Sequence, residues 1–342
     1  MLLTLLGLLG VSLLLLSLAR RLSDYPENIA INLGADLIGA IVTIFVIGPL
    51  INRADDGRVR EHPRLDYPWY VDRVAGATSV VRVLDTFSNL LDGPHTPRFF
   101  EAAERALRRE AIVQVLLLDP DSPAAAQRAQ ELGDAELRRE IMRNLRVLWE
   151  FRSTVLPERL RRGFEVRVYS ASPSIALYRW DDKALVSFFP LGRLSGQGAQ
   201  LEVTVSSPLG EFVNERFNAI WAAGRDIDEF MLMPITVRGA QPVRDFEVEY
   251  VEVDGLLYIA DSRMVAEMAR RRAEPVIAHC QQGRPLLAEL MMVDDRDAKL
   301  TGALMDRFQE KYGQHHDVFI CLQPVGDGAG PRVAEIGESV ER

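Results

Sequence analysis

The side chains able to do chemistry are few and scattered, with five histidines and two cysteines in 342 residues. His315 and His316 are adjacent, and neighbouring residues do not readily face one metal ion. His279 lies in an apolar run that reads as a strand, where a half-buried core histidine is the plain expectation. Cys280 and Cys321 have neither metal-ligand spacing nor the pattern of a disulfide framework, so a reducing compartment and no metal site are expected. Arg138, Arg139, Arg143 and Arg146 line part of a long helical stretch, but Glu136, Glu140 and Glu150 are interspersed with them as on a solvated helix face. The net charge of −9 argues against general nucleic-acid binding, which needs a basic face, and no nucleic-acid partner is expected.

The elements that would carry these residues begin with a very apolar block. Leu2 to Leu18 contains no charge, and Ile29 to Ile51 contains only Asp36. Both are long enough to read as membrane spans, joined by a polar link from Ala19 to Asn28. The first run lacks the basic start and small-residue cleavage site of a signal peptide. The expectation is a transmembrane helical hairpin over 1–53, with a lipid bilayer as partner and the cell membrane as location. Arg53, Arg58, Arg60 and Arg64 after the second run favour a cytoplasmic body. Ala35, Gly39 and Thr43 make one small-residue face along that run. The hairpin is similar to two-helix anchors that precede many bacterial soluble modules.

After a linker over 54–67, residues 68–233 alternate between strands and helices. Strands are expected over 79–85, 111–118 and 164–169, then around 176–188 and 200–206. Helices are expected over 97–109, across a long stretch from 124 to 162, and over 209–223. Ala111 to Leu118 is nearly all apolar, as in a strand covered on both faces. Ser122 followed by Pro123 is a helix start. The order gives an α/β sandwich, a sheet with helices on its faces.

This order, with Val115 to Pro123 and the segment Tyr178-Arg179-Trp180-Asp181-Asp182, resembles phospholipase D-like modules over about 75–223. In that family a His-x-Lys motif supplies a phosphoryl-accepting histidine and a phosphate-binding lysine, with an Asp shortly after. Aligning Asp181 with that Asp places Ser174 at the histidine and Ala176 at the lysine. The resemblance therefore implies a degenerate relative without a catalytic residue, keeping a ligand or partner surface at the former site. Arg179, Asp181, Asp182 and Lys183 are the candidate ligand-binding residues there; a solvated turn with local ion pairs is the alternative.

Residues 234–326 are strand-rich, with a flexible tail expected over 327–342. Asp254-Gly255 is a hairpin turn between strands at 245–254 and 256–260. The apolar phase of the first of these strands switches at Val251, which points to a bulge or a differently buried end. Helices are expected over 262–272 and 296–311, the second stopped by Gly313, with strands at 275–280, 286–293 and 317–322. The series Asp254 to Ile259, Ser262-Arg263, Arg270-Arg271-Arg272, Gly283-Arg284-Pro285 and Lys311-Tyr312-Gly313 resembles the split β-barrel of pyridoxamine-phosphate-oxidase-like flavin and deazaflavin proteins. The resemblance implies FMN or a deazaflavin as cofactor, with Ser262, Arg263, Arg270 and Arg271 near its phosphate, and pairing of two copies into a homodimer.

Three functions remain open on the sequence. The first is a membrane-tethered, non-catalytic sensor or scaffold with an unknown small ligand or protein partner. The second is a membrane-anchored flavin- or deazaflavin-dependent oxidoreductase. The third is a membrane-disrupting effector whose hairpin oligomerises.

Overall fold

The computed structural model describes residues 59–172, 174–189, 192–237, 244–270, 277–282, 284–294 and 296–325. They fall into two compact units that divide between Asp226 and Ile227.

In the first unit the strands are β1 (Val59–His62), β2 (Val80–Asp85), β3 (Ile112–Leu118), β4 (Phe164–Tyr169), β5 (Ile175–Trp180), β6 (Lys183–Phe188), β7 (Gln200–Thr204) and β8 (Arg225–Asp226). They form one eight-stranded sheet in the order β1-β7-β6-β5-β2-β3-β4-β8. Strands β2, β3 and β4 run parallel, while β5 turns back antiparallel beside β2. The direction of the chain thus reverses between β2 and β5, the place where open α/β sheets gather ligands at their strand ends. The helices are α1 (Tyr67–Gly76), α2 (Thr96–Leu107), α3 (Pro123–Leu132), α4 (Leu137–Glu150), α5 (Glu158–Arg161) and α6 (Pro208–Ala223). Val113, Val115, Leu116, Leu117 and Leu118 of β3 are all buried, as expected for a central strand covered on both faces.

Local chemistry explains the boundaries. Ser122 Oγ accepts from Ala125 N, and Pro123 opens α3 where no amide partner is needed. The long helical stretch expected from 124 to 162 is broken three times. Gly133 adopts a left-handed φ of 65° after α3. A single π-turn at Phe151–Val155 follows α4, closed by Leu156 N donating to Phe151 O, and Pro157 then ends it. Within the segment expected as a linker, Val59–His62 pairs antiparallel with β7. The expected strand around 176–188 is a hairpin, β5 and β6, folded at Asp181-Asp182.

The second unit opens with α7 (Ile227–Met231) and continues through β9 (Leu232–Val237), β10 (Arg244–Val253), β11 (Leu256–Ile259), α8 (Ser262–Arg270), β12 (Ile277–Gln282), β13 (Arg284–Met292), α9 (Ala298–Tyr312) and β14 (Ile320–Pro324). Six strands close into a barrel in the order β10-β11-β14-β13-β12-β9. Strand β10 pairs with β9 through Glu249 and with β11 from Tyr250 onward. The switch of apolar phase at Val251 is this change of partner. Val248, Tyr250 and Val251 are buried there on both sides of the alternation. Asp254 and Gly255 both take left-handed φ, 52° and 78°, as a two-residue hairpin demands. Met233, Ile235, Val248, Ile259, Met264, Ile320 and Leu322 fill the interior.

The Lys-Tyr-Gly end of α9 fastens that helix to β10. Tyr312 Oη accepts from Tyr250 N at 2.9 Å and lies 2.6 Å from Met231 O, to which it donates. Lys311 Nζ donates to Tyr250 O at 3.0 Å and stands 3.7 Å from the centre of the Tyr250 ring. Gly313 caps the helix with φ 71°.

The expected fold class needs correction in one respect. The protein is a mixed α/β fold with an open sheet and a barrel, and among the described residues no helix is long and apolar enough to cross a membrane. The transmembrane hairpin assigned to 1–53 lies outside the described residues. The two-span membrane location and the bilayer partner that rested on it are withdrawn.

Candidate functional site

The parallel strands β2, β3 and β4 end together, and β5 begins beside them. Leu84 pairs with Leu177, so Asp85 reaches the strand end next to Ala176. Asp85 is 3 % exposed, a carboxylate at the floor of the sheet's C-terminal edge. It accepts hydrogen bonds from Tyr178 Oη at 2.7 Å, Ser195 Oγ at 3.0 Å and Thr86 N at 2.8 Å. Tyr169 Oη donates to its backbone oxygen, and Tyr178 also exchanges a bond with Ser88 Oγ at 2.8 Å. Ser88 is held in turn by Asn144 of α4, whose Oδ1 accepts from its amide at 2.7 Å. Every partner of the carboxylate is a hydroxyl or an amide, with no cation in contact. Burial therefore dominates and pushes Asp85 up to about 6, although the bonds from Tyr178, Thr86 and Ser195 and the charge of Arg128 pull the other way. Burial and the Asp85 charge likewise hold the Tyr178, Tyr169 and Tyr67 phenols well above their usual range.

Arg128 of α3 closes one side, buried, with Nη1 on Glu131 at 2.9 Å and Nη2 on Arg193 O at 2.9 Å. Its guanidinium lies 4.8 Å from the Phe189 ring centre. Tyr67, Asp85, Thr86, Arg128 and Ser195 enclose a chamber of about 10 Å³, room for one water. Tyr67 is the wall between this chamber and an open cleft of about 420 Å³, lined by Arg64, Asp66, Asn89, His95 and Gln197. The Tyr67 and His95 rings stack at 5.9 Å on one side of the cleft. Gly196 passes so close that a Cβ there would stand 2.9 Å from Tyr67 Oη, which fixes the phenol against the loop.

The residues singled out from the sequence lie elsewhere. Arg179, Asp181, Asp182 and Lys183 belong to the β5–β6 turn, at the opposite end of the sheet from Asp85. Asp181, at φ 46°, accepts from the amides of Thr78, Ser79 and Val80 and from Ser79 Oγ, and so fastens the entry to β2. Partial burial opposes its charge, yet these bonds hold it below the usual carboxylate range. Lys183 Nζ donates to Thr204 Oγ1 at 2.8 Å. Ser174 is exposed and Ala176 fully buried, so neither position offers a nucleophilic imidazole or a fixed cation. Asp85 itself escaped the sequence reading as the last residue of a strand. The available signal was an acid at a strand's C-terminal end followed by the polar loop Thr86-Phe87-Ser88-Asn89.

In the barrel unit, Ser262 is exposed at the start of α8. Arg263 Nη2 is bound to Asp261 Oδ2 at 2.6 Å and to Glu247 O at 2.8 Å. Arg270 pairs with Glu267 at 2.8 Å, a carboxylate that also takes Arg244 at 3.0 Å. Arg271 lies outside the described residues. Two of the cations expected at a cofactor phosphate are thus neutralised on or beside their own helix. Arg263 and Arg270, so paired, do not fit the phosphate of FMN or a deazaflavin.

No protein family and no curated protein matches the chain. Among solved structures, the chain is similar to TrmBL2, described as an archaeal chromatin protein with a novel mode of DNA binding. The TM-score is 0.29 at 14 % identity, covering 59 % of this chain and 66 % of that one. It is also similar to Nuc, a phospholipase D family member from Salmonella typhimurium, with TM-score 0.32 and 14 % identity, covering 49 % of this chain and 95 % of that one. Likenesses of this strength carry no argument about what this chain does. The expected exclusion of nucleic acid does not stand, because one of the similar structures is described as binding DNA. A likeness of that strength carries no argument for DNA binding by this chain either.

Proposed function

We propose that residues 59–226 form a recognition module without hydrolytic chemistry, which takes a small polar ligand in the cleft at the C-terminal ends of β2, β3 and β4. One observation carries this reading: the buried Asp85 carboxylate, ringed by hydroxyls and a backbone amide, stands beside Ala176, the position that the phospholipase D-like resemblance aligns with the family's lysine. An ionised carboxylate has about four acceptor positions, and its three donors leave one for a ligand N–H or O–H reached through the one water the chamber has room for. The aromatic pair Tyr67 and His95 and the amides of Asn89 and Gln197 would orient the ligand in the outer cleft.

The test uses the full chain in two assays. Bis(p-nitrophenyl) phosphate is expected to release no nitrophenolate above buffer. Release that is lost with Asp85→Asn or Ser174→Ala refutes the reading. In a thermal-shift screen of amines, polyols and hydroxy acids, a ligand is expected to protect the wild type and not Asp85→Asn. Equal protection of both proteins would place binding elsewhere.

A further inference from the structure

A polar row crosses the other end of the same sheet. Arg179, Arg82, Gln114 and Glu165 are successive neighbours on β5, β2, β3 and β4. Like charges directly opposite on paired strands destabilise a sheet, yet Arg179 and Arg82 stand in that relation. Both send Nη1 to the same acceptor, Asn214 Oδ1 of α6, at 2.6 and 2.7 Å, so the two cations are only a few ångströms apart. Arg82 adds Gln114 Oε1 at 2.9 Å and Asn218 Oδ1 at 3.0 Å, and lies 4.6 Å from the Phe217 ring centre. Arg179 adds only the backbone oxygen of Asp181 at 2.8 Å.

All these partners are neutral. The surrounding carboxylates are Glu165, which accepts from the Gln114 amide at 2.8 Å, Asp181, occupied by Thr78, Ser79 and Val80, and the exposed Asp182. Among the described residues none of them is within ion-pair distance of either guanidinium. Each arginine uses Nε and Nη1, and among the described residues neither Nη2 has a hydrogen-bond partner. Burial and the neighbouring Arg179 lower Arg82 to about 10, and burial lowers Arg179 also.

We infer that Arg82 and Arg179 form a two-arginine clamp for a small oxyanion of the phosphate class, held by the two Nη2 groups. The fork of a guanidinium matches the edge of a phosphate, and a charge-assisted bond to each arginine removes the repulsion the empty pair carries. The clamp lies at the opposite end of the sheet from the Asp85 cleft and does not depend on what binds there.

Asn218 offers the decisive variant. Its side chain is on an exposed turn of α6 and already touches Arg82, so Asn218→Asp places a carboxylate at the clamp without disturbing the core. Melting of the full chain is followed in inorganic phosphate or glycerol 3-phosphate, against chloride of equal ionic strength. The wild type is expected to gain on the order of 3 °C at about ten times the phosphate dissociation constant. Asn218→Asp is expected to melt higher than the wild type without phosphate and to lose most of the phosphate response. A response to both anions marks the phosphate group alone as the ligand; a response only to glycerol 3-phosphate marks a phosphate ester, and each supports the clamp. No shift at about 20 mM of either anion, or equal shifts in wild type and Asn218→Asp, overturns it. Should Asn218→Asp melt below the wild type, Arg179→Gln decides: a phosphate response retained there also overturns the clamp.

Discussion

Replacing Asp85 by asparagine tests the central electrostatic claim about the cleft. The carboxyl rises from an ordinary 3.8 to about 6 in the folded protein. Between those values the native state holds a proton that the unfolded chain has released, so stability falls as pH rises through this window and levels off above it. A rise of roughly two pH units corresponds to about 2.5 kcal/mol that the wild type has lost by pH 7.5 relative to pH 4. Asparagine does not titrate. The Tyr178 and Ser195 hydroxyls can rotate to accept from its amide, so it resembles the protonated acid. The difference in melting temperature, Asp85→Asn minus wild type, should therefore grow by on the order of 6–10 °C from pH 4 to pH 7.5. Thermal melts of the full chain by circular dichroism across that range measure it, and titrations common to both proteins cancel in the difference. A difference that stays flat, or one that shrinks with rising pH, would refute the claim that Asp85 is ionised at a cost in a chamber without a cation in contact.

Two further substitutions probe the turns and the barrel. Asp181→Ala removes the acceptor of three successive amides and puts alanine at a left-handed φ, and a loss of about 2–4 kcal/mol in urea unfolding is expected. Asp181→Asn, which keeps one acceptor and tolerates that φ, should lose about half as much; equal losses would show that the amides are satisfied in another way. Tyr312→Phe strands Tyr250 N and Met231 O beneath α9, and should lower the stability of the barrel by about 2 kcal/mol, measured by hydrogen exchange at β10 amides. Unchanged protection there would mean that Lys311 alone holds the helix end.

Much of the architecture could be read locally. The nearly all-apolar β3, the Ser122-Pro123 start, the Asp254-Gly255 turn and the Gly313 stop each depend on a residue and its immediate neighbours, and each is in place. What could not be read depends on partners distant in sequence. The long stretch after 124 carries good helix formers throughout, and only the π-turn at Phe151–Val155 and the stops at Gly133 and Pro157 break it. The hairpin at Asp181-Asp182 hides inside a run of apolar residues, because both of its strands are buried. The site suffered most. Asp181 drew attention through a motif, yet its carboxylate serves the backbone of Thr78 to Val80. Asp85 became a candidate only when β2 and β5 were seen side by side, with Ser195 folded over their ends. In the barrel, Ser262 and Arg263 are where the motif order placed them, but Asp261, one residue earlier, takes the charge a cofactor would need.

The barrel and the open sheet also differ in how they guard against wrong association. By passing from β9 to β11 midway along its length, β10 closes its sheet on itself, and among the described residues of that unit no strand is left unpaired. The open sheet keeps two edges, but they are β1, of four residues, and β8, of two. Edges this short offer little template for a strand from another chain. β1 is also studded with charge, Arg60 and Glu61 among its four residues. Both units thus reach the same protection against cross-strand aggregation by different means, one by having no edge and the other by keeping its edges too brief and too polar to copy.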